Sequence, residues 1–267
     1  MEAQGAYIIP MMLQALDAVK YRDYSVITTA LEELTICIGR IGEILGRMDE
    51  KCDPMVFYHQ IRPFLAGSKN MGAAGLPNGV SFSNGDGEFH WKQLRGGSNG
   101  QSSLIQFLDI VLGVEHKSSG GGVSTSPGSG SSSTSATGAM TFHEEVRLYM
   151  PAPHREFLGY VSRMDSLKEL AREPGDSEEQ RQFQRAFHAA TKALGDFRNR
   201  HIHIVTRYII IPSRRPSHLT TTNLATVSSQ SNQRQEGELT GTGGTALIPF
   251  LRQTRDETYL AGMVDRD

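Results

Sequence analysis

Nine positions, Phe183, Phe187, Ala190, Leu194, Phe197, His201, Ile204, Tyr208 and Ile211, follow one another at alternating steps of four and three residues. That spacing lays them along one face of a single long α-helix, and so much apolar surface on one helix requires other helices to cover it. Eight of the nine can pack. His201 interrupts the stripe, and an imidazole aimed into apolar surroundings needs either a hydrogen-bonding group or a metal. Taken alone, Ile202 to Ile211 is β-branched and aromatic enough for a strand. The unbroken phase from Phe183 favours the helix, and Pro212 supplies its stop. His203 then lies about 200° around the helix from His201, so the two share no metal. Arg198, three residues earlier, flanks His201 on the same side.

A second seam, Ile27, Leu31, Leu34, Ile38, Ile41, Leu45 and Met48, has the same rhythm, with Glu32, Glu33 and Arg40 on its outer face. Asp53 before Pro54 has the form of a helix cap followed by a first-turn proline, and predicts a helix through Phe57, Ile61 and Phe64 to about Leu65. Residues 67–100, rich in Gly, Ser and Asn around the single Trp91, read as irregular surface chain. Ser102 to Leu112 is apolar nearly all round and belongs inside, taking Asp109 with it. Helix resumes over Phe142 to Met150 and, after Pro151 and Pro153, over Arg155 to Leu170. Strand signals are scarce and no repeat is visible, so the expected class is all-α, a large helical bundle with long flexible loops. The organisation expected is a helical first part over 1–116, a Ser/Gly-rich insert over 117–140, a helical second part over 141–212, a polar loop over 213–240, and a glycine segment with a terminal helix over 241–267.

A chain of 267 residues, 38% hydrophobic, can bury a substantial core. Its net charge of −2 gives no reason to expect a nucleic-acid partner. The first twenty residues lack a basic leader and carry Pro10 within their apolar run, so neither a signal peptide nor a membrane span is expected there. Apolar residues that dense directly after Met1 suggest a chain that continues upstream. Cys37 and Cys52 do not make a disulfide framework, which points to free thiols and a reducing, cytoplasmic setting.

Four features can carry chemistry. His201 can serve as an axial ligand to iron in a macrocycle, or can be a hydrogen-bonded core histidine. Asp109 is either solvent-facing or buried, and if buried it needs a cation, for which Arg198 is the candidate. The glycine segments RGGSNGQSS (Arg95 to Ser103) and GTGGT (Gly241 to Thr245) can bind an anion through backbone amides, or can be plain turns. Arg62, among aromatic neighbours, can hold a carboxylate bidentately or can lie on the surface. HExxH, clustered Cys/His spacing, GxSxG and a P-loop lysine are all missing, which removes zinc peptidase, serine hydrolase and P-loop readings.

Five segments, in order, carry a resemblance: FYHQIRPFLAG, RGGSNGQSSLIQFLDIVLG, RLYMPAPHREFL, FRNRHIHIVTRYIIIP and TGTGGTALIPFL. The chain resembles the indoleamine 2,3-dioxygenase family over most of Asp23 to Leu251. The resemblance implies a haem-b enzyme that inserts O₂ across the indole C2–C3 bond of L-tryptophan or a related indole, giving N-formylkynurenine. It makes His201 the proximal iron ligand on the long central helix, with Asp109 and Arg198 as a supporting pair. It places Phe57 on the indole and Arg62 on the substrate carboxylate. Ser98 and Gly100 fall over the distal pocket, and Thr242 and Gly243 in a segment that closes on substrate. A monomer is expected. Three departures stand out. Nothing matches the family's small N-terminal domain or the distal-pocket helix that precedes the first matching segment. Asn99 stands where a small residue is usual, and the serine-rich insert is extra. The alternative reading is a haem- or O₂-binding or interaction protein that has lost catalysis with its distal half.

Overall fold

The computed structural model describes residues 1–69, 71–72, 75–117, 140–215, 239, 241–243 and 245–263. Nearly all of the Ser/Gly-rich insert, and all of the polar loop beyond Arg215 except Leu239, lie outside that set. Helices α1 (Glu2–Gly5) and α2 (Ile8–Ala18) lead into α3 (Tyr24–Gly46). Pro10 falls in the first turn of α2, where its missing N–H removes no helical hydrogen bond. Helix α3 starts at Asp23, whose carboxylate accepts from the Val26 amide at 3.2 Å. Its seam residues Ile27, Leu31, Leu34, Ile38 and Ile41 are all buried, and each such side chain stabilises the fold by about 1.5–3 kcal/mol.

Short α4 (Pro54–Val56) is capped by Asp53, which accepts from the Met55 and Val56 amides at 2.8 and 2.9 Å. Then come α5 (Ser103–Val111), α6 (Phe142–Arg147), α7 (Ala152–Val161), α8 (Leu167–Arg172), α9 (Glu178–Val205), α10 (Ile211–Ser213) and α11 (Leu247–Gly262). Ser177 starts α9 by accepting from the Gln180 amide at 3.1 Å. The longest helix, α9, packs on α3 along one side and on α11 along another, while α2 covers α3 and α5 rests on α7. Two glycines let α11 approach α9 closely. A side chain at Gly195 would overlap the Tyr259 ring, and one at Gly262 would overlap Thr191. The core of this all-α fold runs through Met12, Leu31, Leu34, Phe107, Phe183, Phe187 and Leu194.

Four local expectations change. The α geometry of the central helix ends at Val205, and a π-helical turn follows over Thr206–Ile210. A seven-residue spacing falls about 20° short of two full turns, so by Arg198, Ile202 and Val205 the buried stripe has moved one residue on from the expected line; Tyr208 is buried within the π turn, which takes in an extra residue, and beyond it Ile211 faces out. The helix expected from Pro54 to Leu65 is instead α4, a π segment over Phe57–Ile61 and a 3₁₀ turn over Arg62–Leu65. Pro63 cannot extend the ladder, and Phe64 points to solvent. Within the stretch read as irregular, β1 (Val80–Ser83) and β2 (Phe89–Lys92) form an antiparallel hairpin, with Ser81 opposite an exposed Trp91. The helix expected over Arg155 to Leu170 breaks between α7 and α8, where Ser166 caps α8 by accepting from the Glu169 amide at 3.2 Å. Among the described residues, no helix is long and apolar enough to cross a membrane.

Candidate functional site

His201 lies one turn before the end of α9 and is half-buried, as are its seam neighbours Phe197 and Ile204. Its Nε2 is 2.8 Å from Nδ2 of Asn99. A carboxamide nitrogen can only donate, so the imidazole nitrogen accepts and the ring is neutral at Nε2. Burial, helped by the Arg198 charge, pushes the His201 pKa down to about 4. At neutral pH the ring therefore presents a free-base lone pair toward the loop at Ser98–Gly100. Among the described residues, no three or more His, Cys, Asp or Glu side chains gather to hold a metal. One neutral imidazole would suit an iron whose remaining donors come with a macrocycle, rather than a bare ion.

The loop facing His201 is built by side-chain capping. Ser98 Oγ accepts from the Gly100 amide at 3.2 Å, and Gln101 reaches back to the Ser98 amide at 3.4 Å. Its neighbours are joined through backbone carbonyls. The Gly97 amide donates to the Leu65 carbonyl at 2.9 Å, the Gly96 amide to the Thr242 carbonyl at 3.2 Å, and the Thr242 hydroxyl to the Gly97 carbonyl at 2.5 Å. A side chain at Gly96 would overlap Leu65 and Thr242, so glycine is required for the approach. Gly243 is buried against Phe142 and Ser98. Ser98, Gly100, Thr242, Gly243 and His201 are thus brought to one place.

Behind His201, Asp109 of α5 and Arg198 of α9 form a buried ion pair, with Arg198 Nη2 at 2.6 and 2.8 Å from the two carboxylate oxygens. Arg198 Nη1 donates to the Thr258 hydroxyl and to the Thr254 carbonyl at 3.4 Å, which ties the pair to α11. His116 Nε2 contacts Asp109 at 3.2 Å, and its Nδ1 contacts Glu257 at 2.8 Å. Burial raises the Asp109 pKa, but Arg198 and His116 outweigh it and hold the carboxyl below its usual range. His143 stacks on His116 at 3.9 Å, and burial together with the charge of His116 pushes its pKa down to about 3.

Phe57 and Arg62 have no direct contact with His201 among the described interactions. Phe57 is linked to the end of the central helix through Tyr208, whereas Arg62 is not brought beside His201 by any described contact. Phe57 packs edge-on against Tyr208 at 5.7 Å, so the two π-helical segments meet there. Tyr208 is fixed by its hydroxyl, 2.9 Å from Asp49 Oδ1 and 2.8 Å from the Cys52 carbonyl. Arg62 is 2% exposed, its guanidinium 5.4 Å from the Tyr58 ring, and burial lowers its pKa.

The indoleamine 2,3-dioxygenase family model matches residues 1–261. The chain belongs to the indoleamine 2,3-dioxygenase family. It is 38% identical over 265 residues to indoleamine 2,3-dioxygenase nanC of Aspergillus nanangensis, covering 97% of this chain and 57% of that protein. It is 37% identical to the Saccharomyces cerevisiae indoleamine 2,3-dioxygenase, over 96% of this chain and 56% of the relative. It is 35% identical to 6-hydroxytryptophan 2,3-dioxygenase fscD of Fusarium equiseti, over 96% and 57%. The chain therefore spans little more than half the length of these relatives.

Within this dioxygenase-family chain, several pairings at the site escape sequence reading. Asn99, Arg95, Glu145, His116, His143 and Glu257 all meet their partners across long stretches of chain, 102 residues in the case of Asn99 and His201. The one local signal was the capping pattern Thr141–Glu144, which fixes α6 and hence the direction of Glu145.

Proposed function

We propose that this chain forms the haem-binding part of a dioxygenase that inserts O₂ across the indole C2–C3 bond of L-tryptophan or a close relative, giving N-formylkynurenine. The observation that carries the reading is His201, a neutral imidazole whose Nε2 faces a glycine loop, in a chain of this family. The donor set fits haem b, because Nε2 carries an accepting lone pair whose hydrogen-bond partner among the described residues is an exposed loop carboxamide that can swing aside. Haem held through one histidine supplies the iron that activates O₂.

The protein's own residues do the rest. Asp109 and Arg198 lock the turn of α9 that carries His201, and so fix the direction of the imidazole. Phe57 offers a ring face for the indole. Arg62, a buried guanidinium beside the Tyr58 ring, holds the substrate carboxylate through its paired N–H donors. Ser98, Gly100, Thr242 and Gly243 close over the reacting region and exclude water.

Reconstitution with hemin tests this. The wild type should give a Soret band that His201→Ala loses or shifts, and N-formylkynurenine should form from tryptophan under reducing conditions. A Soret band indifferent to His201→Ala removes the ligand assignment. Bound haem without product removes the dioxygenase reading for this chain.

A further inference from the structure

One buried cation is not used by that reading. Arg95 directly precedes the loop that faces His201, and its guanidinium joins that loop to the Gly241–Gly243 segment and to α6. Nη1 donates to the Gly243 carbonyl, and Nη2 donates to Glu145 Oε2 of α6 at 2.6 Å. The guanidinium carbon is 5.1 Å from the centroid of Phe142, the ring against which Gly243 packs. The Arg95 amide donates to the Tyr149 hydroxyl at 3.0 Å, so both ends of the residue are fixed. Glu145 is held in turn by Lys69, whose Nζ is 2.6 Å from Oε1. The Arg95 side chain is only 12% exposed.

We propose that Arg95 is a positioning residue that clamps the Gly241–Gly243 segment onto the Gly96–Gly100 loop, and so sets where Thr242 and Gly243 stand over the site. Its catalytic consequence rests on the function proposed above, but the clamp itself does not. Gly243 presents a buried carbonyl that needs a donor. Arginine provides one from the same rigid plane that binds Glu145 and lies against Phe142, a geometry lysine cannot copy with its single point charge. Beside it, the Gly96 amide bond to the Thr242 carbonyl and the Thr242 hydroxyl bond to the Gly97 carbonyl join the two segments and need them held close before they form. Glu145 is the counter-ion that orients the fork. Its pKa is drawn down to about 2, chiefly by the Arg95 hydrogen bond, so it stays ionised across the working pH range.

The test is site-resolved amide exchange on the full chain. The Gly96 amide reports its bond to Thr242, and the Leu194 amide inside α9 serves as the internal reference. Arg95→Ala should speed exchange at Gly96 by about tenfold or more without changing Leu194, and Arg95→Lys should restore part of the protection. Glu145→Gln should give an intermediate increase, and it is the variant to read if Arg95→Ala does not fold. In hemin-loaded protein, Arg95→Ala should raise KM for tryptophan more than it lowers kcat. Unchanged Gly96 protection in a folded Arg95→Ala or Glu145→Gln protein overturns the clamp. Because exchange needs neither hemin nor substrate, a wild type that binds no hemin overturns the function and leaves the clamp standing.

Discussion

Replacing Asp109 by asparagine isolates the charge of the buried pair. The side chain keeps its shape and one carbonyl oxygen, but Arg198 loses its counter-ion while remaining 7% exposed, with Thr258 and Thr254 as its other acceptors. Stranding one partner of a buried pair costs roughly 3–5 kcal/mol. The retained acceptors and the surviving carbonyl put Asp109→Asn near the lower end, about 3 kcal/mol, a large share of the 5–15 kcal/mol that holds a typical domain together. Urea unfolding should show a lower midpoint at unchanged slope. Removing both charges with Asp109→Leu/Arg198→Met should cost less than the single change, since no charge is stranded. The pH dependence has a fixed sign. The folded-state pKa of Asp109 is depressed, so its contribution is present above the ordinary carboxylate pKa of about 4 and fades as pH falls below it. The gap between wild type and Asp109→Asn should therefore narrow in acid. An Asp109→Asn protein within about 0.5 kcal/mol of wild type at pH 7 would refute the view that this pair holds α5 to α9.

Two further outcomes are expected. Asn99→Ala removes a hydrogen bond that a ligand at His201 Nε2 must break, so hemin affinity should rise about two- to tenfold in a Soret titration; equal affinities would mean that the carboxamide does not guard the imidazole. His143 has a folded-state pKa of about 3 against about 6.5 when free, so the unfolded chain binds the proton first and stability falls as pH drops from 6.5 toward 3. Between pH 7 and 5 that amounts to at most about 2 kcal/mol, and His143→Phe, which keeps a ring against His116, should flatten the melting-temperature profile over that interval. Parallel profiles for the two proteins would show that His143 is not buried as a neutral base.

The all-α class and the two helical seams were legible in the sequence because apolar spacing is a local signal, and α3 and the first turns of α9 repeat it without interruption. The fate of Ile211 was not legible, since a π turn changes the angle per residue while leaving the composition untouched. The β1–β2 hairpin did leave a trace, alternating VSFS and FHWK runs around an Asn-Gly and an Asp-Gly pair, which the overall glycine and serine content obscured. Burial of Asp109 was legible in the apolar run around it, whereas for Arg62 the sequence left burial and surface exposure both open. Asn99 facing His201 was not legible, a meeting that depends on how a glycine loop is folded rather than on any motif.

The wide turn at Thr206–Ile210 acts as a phase shifter on the longest helix. Upstream of it, the rotation of His201 is set by α3, α5 and α11; downstream, Tyr208 is set by Asp49 and Cys52. Deleting one residue within that turn would restore ordinary winding and swing the tyrosine off its two anchors, while the histidine kept its bearing. His201 and Tyr208, the ring against which Phe57 packs, thus sit on one rod yet answer to separate adjustments.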